Sequence, residues 1–294
     1  MHYFIGFDVG GTHIKHGVID ENGEELISDE YDTPEDVETF KQKWQAVVEG
    51  YQKEHDIVAV GISFPGYINI RTGVAMKAGA LDFMDGINLR ELFAELSDLP
   101  VIVENDANCA ALGERWLGAA QDYDNVVCIT VGTGIGGGII FDGELYRGSH
   151  FRAGEFGVMP VGNDGECMHE VASARGLMEA CRRALALSAE EMPHGKEIFE
   201  RMDSDVHLRE AVNQWARFLS RGIYSVISMY DPQVVLIGGG LSEQEKVYQL
   251  LDRHLETFEM WEFLKAPILP CKLGNQAGRL GAVWLAKQQV KAGS

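Results

Sequence analysis

The glycine turn after the first predicted strand combines residues that suit phosphate binding. Gly10 and Gly11 let backbone amides approach an anion without a Cβ in the way. Asp8, at the end of that strand, is placed to hold a magnesium ion through water, while Thr12 and Lys15 could reach phosphate oxygens. The alternative is an ordinary Gly-Gly hairpin that binds nothing.

The carboxylate of Asp106 is a second group that could take part in binding or catalysis. It follows the β-branched run Val101-Ile102-Val103, and Ala-rich helical spacing begins directly after it. We therefore predict a strand, a polar turn and a helix with Asp106 at the N-cap. Helix capping alone would explain an Asp there. However, the carboxyl end of a strand is also where open α/β sheets bind their ligands.

Residues 125–143 repeat the plan of the N-terminus, with a strand, the glycine loop Gly132-Thr133-Gly134 and a second strand. Two such hairpins, one in each half of the chain, suggest a duplicated architecture with a nucleotide between two lobes. A Rossmann dinucleotide site is excluded, because no glycine loop has the required strand and helix around it. The glycines 238–240 end another buried strand and offer a surface for adenine or ribose.

The remaining pattern predicts an α/β protein in which helices alternate with short buried strands. We predict a strand over 57–64 and helices over 34–54, 89–96, 177–187, 198–230 and 243–258. The segment from Gly274 opens a closing helix that returns to the first lobe. The expected lobes are residues 1–117 with the returning helix 277–290, and residues 118–276.

The composition of the chain excludes several classes of function and partner. The formal charge of −20 over 294 residues argues against a nucleic-acid or anionic-membrane partner, which would require a basic face. The five cysteines are odd in number and scattered, which favours reduced thiols in the cytoplasm. We find no signal peptide and no apolar run long enough for a membrane span.

Six motifs, in this order, resemble the ROK family of sugar kinases and repressors. They are Asp8-Val-Gly-Gly-Thr12, Pro65-Gly66, Glu104-Asn-Asp106, Gly132-Thr-Gly134, Ala153-Gly-Glu155 and Gly238-Gly-Gly240. The resemblance covers the whole chain. It implies an actin-like ATPase (ribonuclease H-like) fold, with two α/β lobes around a central cleft that close on ATP and a sugar.

The resemblance also assigns roles to individual residues. It implies that Asp106 is the general base for the sugar 6-hydroxyl and that Asp8 positions magnesium. Other substrate contacts would come from Gly66, Asn105 and Glu155. The nucleotide, ATP, would be held by Gly10, Gly11, Thr12, Lys15, Gly132, Thr133, Gly134, Gly238, Gly239 and Gly240. Phosphoryl transfer depends mainly on positioning and charge neutralisation, which these residue types can provide.

The chain departs from the family at its zinc loop. The histidine that usually follows Glu-x-Gly is Val158 here, and only Cys167 remains of three clustered cysteines. We therefore predict no structural zinc. The sugar-contacting glutamate of that loop is also uncertain, because Glu170 is the nearest candidate while His169 has the strict spacing from Ser173.

The substrate expectation follows from that departure. A valine in place of a zinc ligand opens the anomeric side of the sugar and makes it less polar, which suits an attached aglycone or second sugar. The segments 63–68, 151–157 and 274–278 look most similar to zinc-free bacterial β-glucoside kinases. Those enzymes phosphorylate the 6-hydroxyl of the non-reducing glucose in cellobiose-like substrates.

Two alternatives stay open at this point. One is a ROK kinase of a free hexose such as glucose, fructose or N-acetylmannosamine. The other is a sugar-responsive repressor, which is disfavoured because repressors carry a helix-turn-helix domain before the loop at Asp8. As partners we expect a small sugar and ATP, without membrane or nucleic acid, and the family leads us to expect a homodimer.

Overall fold

The computed structural model describes residues 2–188, 191 and 195–293. The chain divides into two compact units. The first contains Met1–Asp122, Leu145–Ala153 and Asn275–Ser294, and the second contains Tyr123–Glu144 and Gly154–Gly274. Relative to the expected lobes, the first boundary falls after Asp122, and the segment Leu145–Ala153 belongs to the first unit.

The strands alternate with helices along most of the chain. In chain order the strands are β1 (Tyr3–Val9), β2 (His13–Asp20), β3 (Glu25–Asp32), β4 (Ile57–Phe64), β5 (Tyr67–Asn69), β6 (Val74–Lys77), β7 (Val101–Asn105), β8 (Val126–Val131), β9 (Ile135–Phe141), β10 (Glu144–Leu145), β11 (Val234–Gly238) and β12 (Ile268–Pro270). The helices are α1 (Val37–Glu54), α2 (Leu89–Leu96), α3 (Asp106–Trp116), α4 (Met168–Val171), α5 (Ala174–Ala184), α6 (Gly195–Arg201), α7 (Val206–Tyr230), α8 (Glu245–Leu255), α9 (Trp261–Leu264) and α10 (Ala277–Gly293).

The two units contain sheets of the same design. The first sheet has the order β3-β2-β1-β4-β7 and the second the order β10-β9-β8-β11-β12. In each, the first long strand pairs antiparallel with the strand after it and parallel with a later strand. The predicted duplication is therefore confirmed at the level of strand order. Parallel strands bring their carboxyl ends to one edge, which is where ligands bind in such sheets.

Helix α1 shows how the sequence pattern builds the core of the first unit. Asp36 is its N-cap and accepts a hydrogen bond from the amide of Thr39. Phe40, Trp44 and Val48 recur at four-residue intervals, so they share one face, and all three are buried. The ring of Trp44 stacks on Phe7 of β1, with 5.8 Å between centroids. This contact fastens the helix to the centre of the sheet.

The closing helix α10 packs on β1, β4 and α3, as its predicted return to the first lobe requires. Gly281 makes this packing possible, because a Cβ there would collide with the backbone carbonyl of Cys109 in α3. The helix therefore lies close to the helix that begins with Asp106.

One predicted helix was wrong in its extent. The segment 198–230 forms two helices, because α6 ends at Arg201 and α7 begins at Val206. Asp205 is responsible for the new start, since its carboxylate accepts hydrogen bonds from the amides of His207 and Leu208. An Asp inside a polar stretch is a capping signal that the periodicity alone does not show.

Candidate active site

The Asn105-Asp106 pair lies where β7 ends and α3 begins. The prediction that Asp106 is the N-cap was wrong, because Asn105 occupies that position and its Oδ1 accepts from the amide of Asn108 at 3.1 Å. Asp106 is the first helical residue. Its Oδ1 accepts from the amide of Ala107 at 2.8 Å and from Nδ2 of Asn105 at 3.0 Å. The carboxylate of Asp106 is therefore fixed in direction while the residue remains exposed.

The turn at Gly66 belongs to the same cluster. Asn105 Nδ2 also donates to the carbonyl oxygen of Gly66 at 2.9 Å, which ties the end of β7 to the loop after β4. Thus the first unit brings together Gly66, Asn105 and Asp106, three of the residues predicted to bind substrate.

Beneath this cluster lies a buried ion pair that the sequence analysis missed. Glu104 is only 3% exposed, and its Oε2 accepts from Nε of Arg147 at 2.6 Å. Its other oxygen accepts from the amide of Asn105 and from Nδ2 of Asn108. A buried carboxylate with this many donors is rigid. Glu104 therefore supports the two residues that follow it, and Arg147 comes from the distant segment Leu145–Ala153.

Asp8 is the penultimate residue of β1, at the same edge of the sheet. The hydroxyl of Ser63 in β4 donates to Asp8 Oδ1 at 2.7 Å, and Lys15 lies opposite Asp8 in the antiparallel pair. Burial raises the pKa of Asp8, although the Ser63 hydrogen bond and the Lys15 charge oppose that shift. A half-buried carboxylate whose neighbours compensate its charge only in part is a suitable partner for a divalent cation. The residues present therefore fit the predicted magnesium site.

The two predicted phosphate loops are tight turns with similar internal bonding. The amide of Gly10 donates to the carbonyl oxygen of His13 at 3.1 Å. Likewise, the amide of Gly132 donates to the carbonyl oxygen of Gly134 at 2.9 Å. These two amides close their own turns. The exposed residues Gly11, Thr12 and Thr133 are thus better placed to offer an amide to an anion.

In the second unit, the glycines 238–240 lie beside the Gly132 loop. Gly238 pairs with Thr130 in the parallel ladder of β11 and β8, so both glycine segments leave the same sheet edge. A Cβ built on Gly132 or Gly240 would meet no atom closer than 4.0 Å. The backbone surface at both positions is therefore open to a flat or charged ligand.

His169 occupies a defined position in the second unit. Its Nδ1 accepts from the amide of Ile135 at 2.9 Å. Its ring packs so closely on Gly157 that a Cβ at that glycine would collide with the imidazole. Burial, followed by the charge of Arg175, lowers the pKa of His169. The ring is therefore neutral with its proton on Nε2, which makes Nε2 a hydrogen-bond donor.

The other two carboxylates expected near the sugar differ in their surroundings. The Glu170 carboxylate accepts from the amide of Cys167 at 2.8 Å, which caps α4 and lowers the pKa of Glu170. Glu155 is half-buried and directly precedes a short 3₁₀ turn, Phe156–Val158. Since Gly157 lies under the His169 ring, the second unit brings Glu155 and His169 into one neighbourhood.

The described part of the chain contains neither a metal-binding cluster nor a membrane-spanning helix. Within residues 2–188, 191 and 195–293, no three His, Cys, Asp or Glu side chains are grouped closely enough to hold a metal ion. No helix in those same ranges is long and apolar enough to span a membrane. All five cysteines are free thiols.

The chain is similar to known proteins over nearly its whole length. A β-glucoside kinase of Listeria monocytogenes is 35% identical over 286 residues, which cover 95% of each chain. A ROK family glucokinase from Streptomyces griseus, solved with glucose and AMPPNP, has a TM-score of 0.82 and 33% identity, covering 97% of this chain and 99% of that one. A ROK family protein from Streptococcus pneumoniae, solved with sucrose, has a TM-score of 0.86 and 28% identity, covering 99% of each chain.

These similarities confirm the predicted actin-like ATPase fold. The sequence model of the ROK family matches residues 4–289. The chain therefore belongs to the ROK family, and sugar kinases of that family are among the proteins similar to it.

Proposed function

We propose that this ROK sugar kinase transfers the γ-phosphate of ATP to the 6-hydroxyl of the non-reducing glucose of β-glucosides such as cellobiose. The observation that carries the proposal is the hydrogen bond from the Ile135 amide to Nδ1 of His169. It bears on the substrate because it leaves Nε2 of His169 as a donor, which suits an oxygen that can only accept.

The family's glutamate at this place offers only acceptor oxygens, so it suits a hydroxyl group that can donate. His169 instead offers a proton on Nε2. A glycosidic oxygen has no hydrogen and can only accept, so it matches the imidazole and not a carboxylate. Among the two candidates for the sugar contact we favour His169, because the Glu170 carboxylate is engaged in capping α4.

The second support is Val158, which replaces the zinc-ligand histidine of the family. This valine is 60% exposed, so its side chain presents an apolar surface to solvent. An apolar surface there suits a substrate that carries a further ring. A β-glucoside kinase is among the similar relatives, and the neighbour solved with sucrose accommodates a disaccharide.

In the proposed reaction Asp106 accepts the proton of the 6-hydroxyl while that oxygen attacks the γ-phosphorus and ADP leaves. Asn105 orients the Asp106 carboxylate through the bond from Nδ2, and Asn105, Gly66 and Glu155 bind sugar hydroxyls. A well-placed general base contributes about 10²- to 10⁴-fold to the rate.

The nucleotide and the metal complete the proposal. The amides of Gly11, Thr12 and Thr133, with Gly10, Lys15, Gly132 and Gly134 around them, bind phosphate, and the glycines 238–240 face adenosine. Asp8 would hold Mg²⁺ through water, and the ion would neutralise phosphate charge. We place the enzyme in the cytoplasm, where ATP and free thiols occur together, and expect a homodimer.

The alternative is a kinase of a free hexose, favoured by the glucokinase neighbour solved with glucose. A substrate panel with ATP and Mg²⁺ separates the two functions, using cellobiose, gentiobiose, arbutin, glucose and N-acetylmannosamine. We expect kcat/KM to be highest for the β-glucosides, with phosphate on C6 of the non-reducing ring by NMR. Turnover of a free monosaccharide alone would show that the substrate proposal is wrong.

A further inference from the structure

The segment Leu145–Ala153 lies on the first unit although the residues on both sides of it belong to the second. We call it the crossing segment. It contacts the hairpin formed by β5 and β6, hereafter the β5–β6 hairpin (Tyr67–Lys77). Arg147 of the crossing segment also holds Glu104, one residue before Asn105. The crossing segment is therefore attached to the strand that presents the proposed general base.

Two reciprocal arginine–aromatic contacts join the crossing segment to the β5–β6 hairpin. The guanidinium of Arg71 in the hairpin lies 5.6 Å from the ring centroid of Phe151. In the opposite direction, Arg152 lies 5.8 Å from the ring centroid of Tyr67. Both arginines are exposed, and both rings are half-buried. These four residues, the arginine–aromatic cluster, form two pairs of one guanidinium and one aromatic ring, and each pair joins the crossing segment to the hairpin.

The backbone at this cluster is strained. Phe151 has φ +57, in the left-handed region that favours glycine, and a bulky residue there is an outlier. Strain of this kind is concentrated at functional sites. Packing alone could be achieved by a residue that tolerates the conformation. The strained position instead carries an aromatic ring, which contacts Arg71 of the hairpin.

The cluster also lies at the correct end of the sheet. Tyr67 directly follows Gly66, whose carbonyl accepts from Asn105 Nδ2, and Asn105 in turn orients Asp106. One chain of contacts within the first unit therefore connects the cluster to the carboxylate proposed to accept the 6-hydroxyl proton. A substrate with a ring beyond the phosphorylated glucose must place that ring on some neighbouring surface.

We infer, on the basis of the proposed function, that the arginine–aromatic cluster is the subsite for the aglycone, a neutral six-membered ring that is either a second sugar or an aryl group. Aromatic rings pack on the C–H face of a pyranose and on an aryl ring. The guanidinium groups donate to ring hydroxyls without requiring a charged ligand. The cluster thereby supplies affinity for the second ring and none for the glucose that is phosphorylated.

The test uses substrates that differ only in the second ring. Wild type, Phe151→Asn and Arg152→Gln are assayed on cellobiose, arbutin and methyl β-glucoside, and binding of each sugar is measured by calorimetry. Asn tolerates the left-handed backbone at position 151, so the first variant is expected to fold. We expect about tenfold losses in kcat/KM and in affinity for cellobiose and arbutin, and less than about twofold losses for methyl β-glucoside.

Arg90→Gln is the matched control. Arg90 is also exposed, and it donates to the carbonyls of Ile70 and Arg71 in the β5–β6 hairpin, so its loss perturbs the hairpin without removing a cluster residue. Its effect should be equal for all three sugars. Equal losses for Phe151→Asn across the sugars, or no losses, would overturn the subsite.

The outcomes also separate this inference from the proposed function. If wild type phosphorylates cellobiose and the cluster variants do so equally well, only the subsite is wrong. If wild type does not phosphorylate cellobiose, the proposed function is wrong. In that case the calorimetry still decides the subsite, because wild type that binds cellobiose no tighter than methyl β-glucoside overturns it.

Discussion

Nδ2 of Asn105 lies 3.0 Å from Oδ1 of Asp106 and donates a hydrogen bond to it. The same side chain caps α3 through its Oδ1. Asn105 therefore has two roles. Its side chain caps α3, and it also orients the carboxylate of Asp106, which we propose as the general base.

Replacing the proposed base tests the centre of the mechanism. In Asp106→Asn the amide cannot take the proton of the sugar hydroxyl, so we expect kcat to fall by at least about 10²- to 10⁴-fold. Binding of sugar and ATP, measured by calorimetry, should remain. Asp98→Asn is the control, since it removes the same charge from an exposed residue just before β7. Unchanged turnover in Asp106→Asn would remove that residue from its role.

If Nε2 of His169 donates a hydrogen bond to the substrate, removing this donor should change the preference for cellobiose over glucose. In His169→Glu the amide of Ile135 can still donate to the new side chain, but the proton on Nε2 is replaced by an acceptor. We expect the ratio of kcat/KM for cellobiose to that for glucose to fall by about tenfold or more, because a buried mismatch of acceptors is costly. His207→Glu, on the exposed side of α7, should leave this ratio unchanged. If the cellobiose-to-glucose ratio of kcat/KM is unchanged in His169→Glu, Nε2 of His169 does not donate to the glycosidic oxygen.

A pair of glycines gives a prediction about stability. Gly281→Ala places a methyl group against the Cys109 carbonyl, so α10 and α3 must move apart. We expect a loss of about 1–3 kcal/mol in the free energy of unfolding, measured with urea. Gly50→Ala is the contrasting variant, since it lies in α1 with no atom within 4 Å of the new Cβ. It should raise stability by up to about 1 kcal/mol, and equal effects of the two changes would contradict the packing described here.

The buried His16 predicts how stability depends on pH. Its Nδ1 lies 2.8 Å from the hydroxyl of Tyr51, and burial lowers the pKa of His16, with Asp29 opposing and Arg279 adding to the shift. The unfolded chain therefore binds more protons than the fold below about pH 6.5, so stability is lost as pH falls through that region. Urea unfolding at about pH 7.5 and 5.5 should show a smaller difference for His16→Gln than for wild type. The same difference in both proteins would exclude His16 as a contributor.

The metal content can be measured directly. We expect protein purified from zinc-containing medium to hold far less than one zinc per chain, because Val158 and the lone Cys167 leave the family's zinc loop without its ligands. A zinc-selective chelator should leave the Mg²⁺-dependent activity intact. Stoichiometric zinc, or unfolding by that chelator, would contradict this.

The sequence was sufficient for features that depend on local pattern. The bounds of β4 and α2 were predicted to the residue, because a continuous apolar run and an amphipathic turn each end at polar residues. The two glycine hairpins also revealed the duplication that the strand order confirms. Both signals are contained in a few neighbouring residues.

Other features depend on residues far apart in the chain. The pairing of Glu104 with Arg147 spans 43 positions, and that of Asp8 with Ser63 spans 55. No periodicity relates such residues. The cap at Asn105 was missed for a different reason, since Asn105 and Asp106 are both favoured caps and only the backbone angles decide between them. The sequence therefore located the candidate site but not the groups that orient it.

Helix α10 follows the second unit in the chain, although it packs in the first. The second unit is finished once Gly274 has been made, whereas the first still lacks the helix that packs on β1 and β4. The half of the protein that leaves the ribosome first is therefore the last to reach its native state. A nascent chain stalled before residue 277 would expose to chaperones the apolar surface of β1 and β4 that α10 covers in the complete protein.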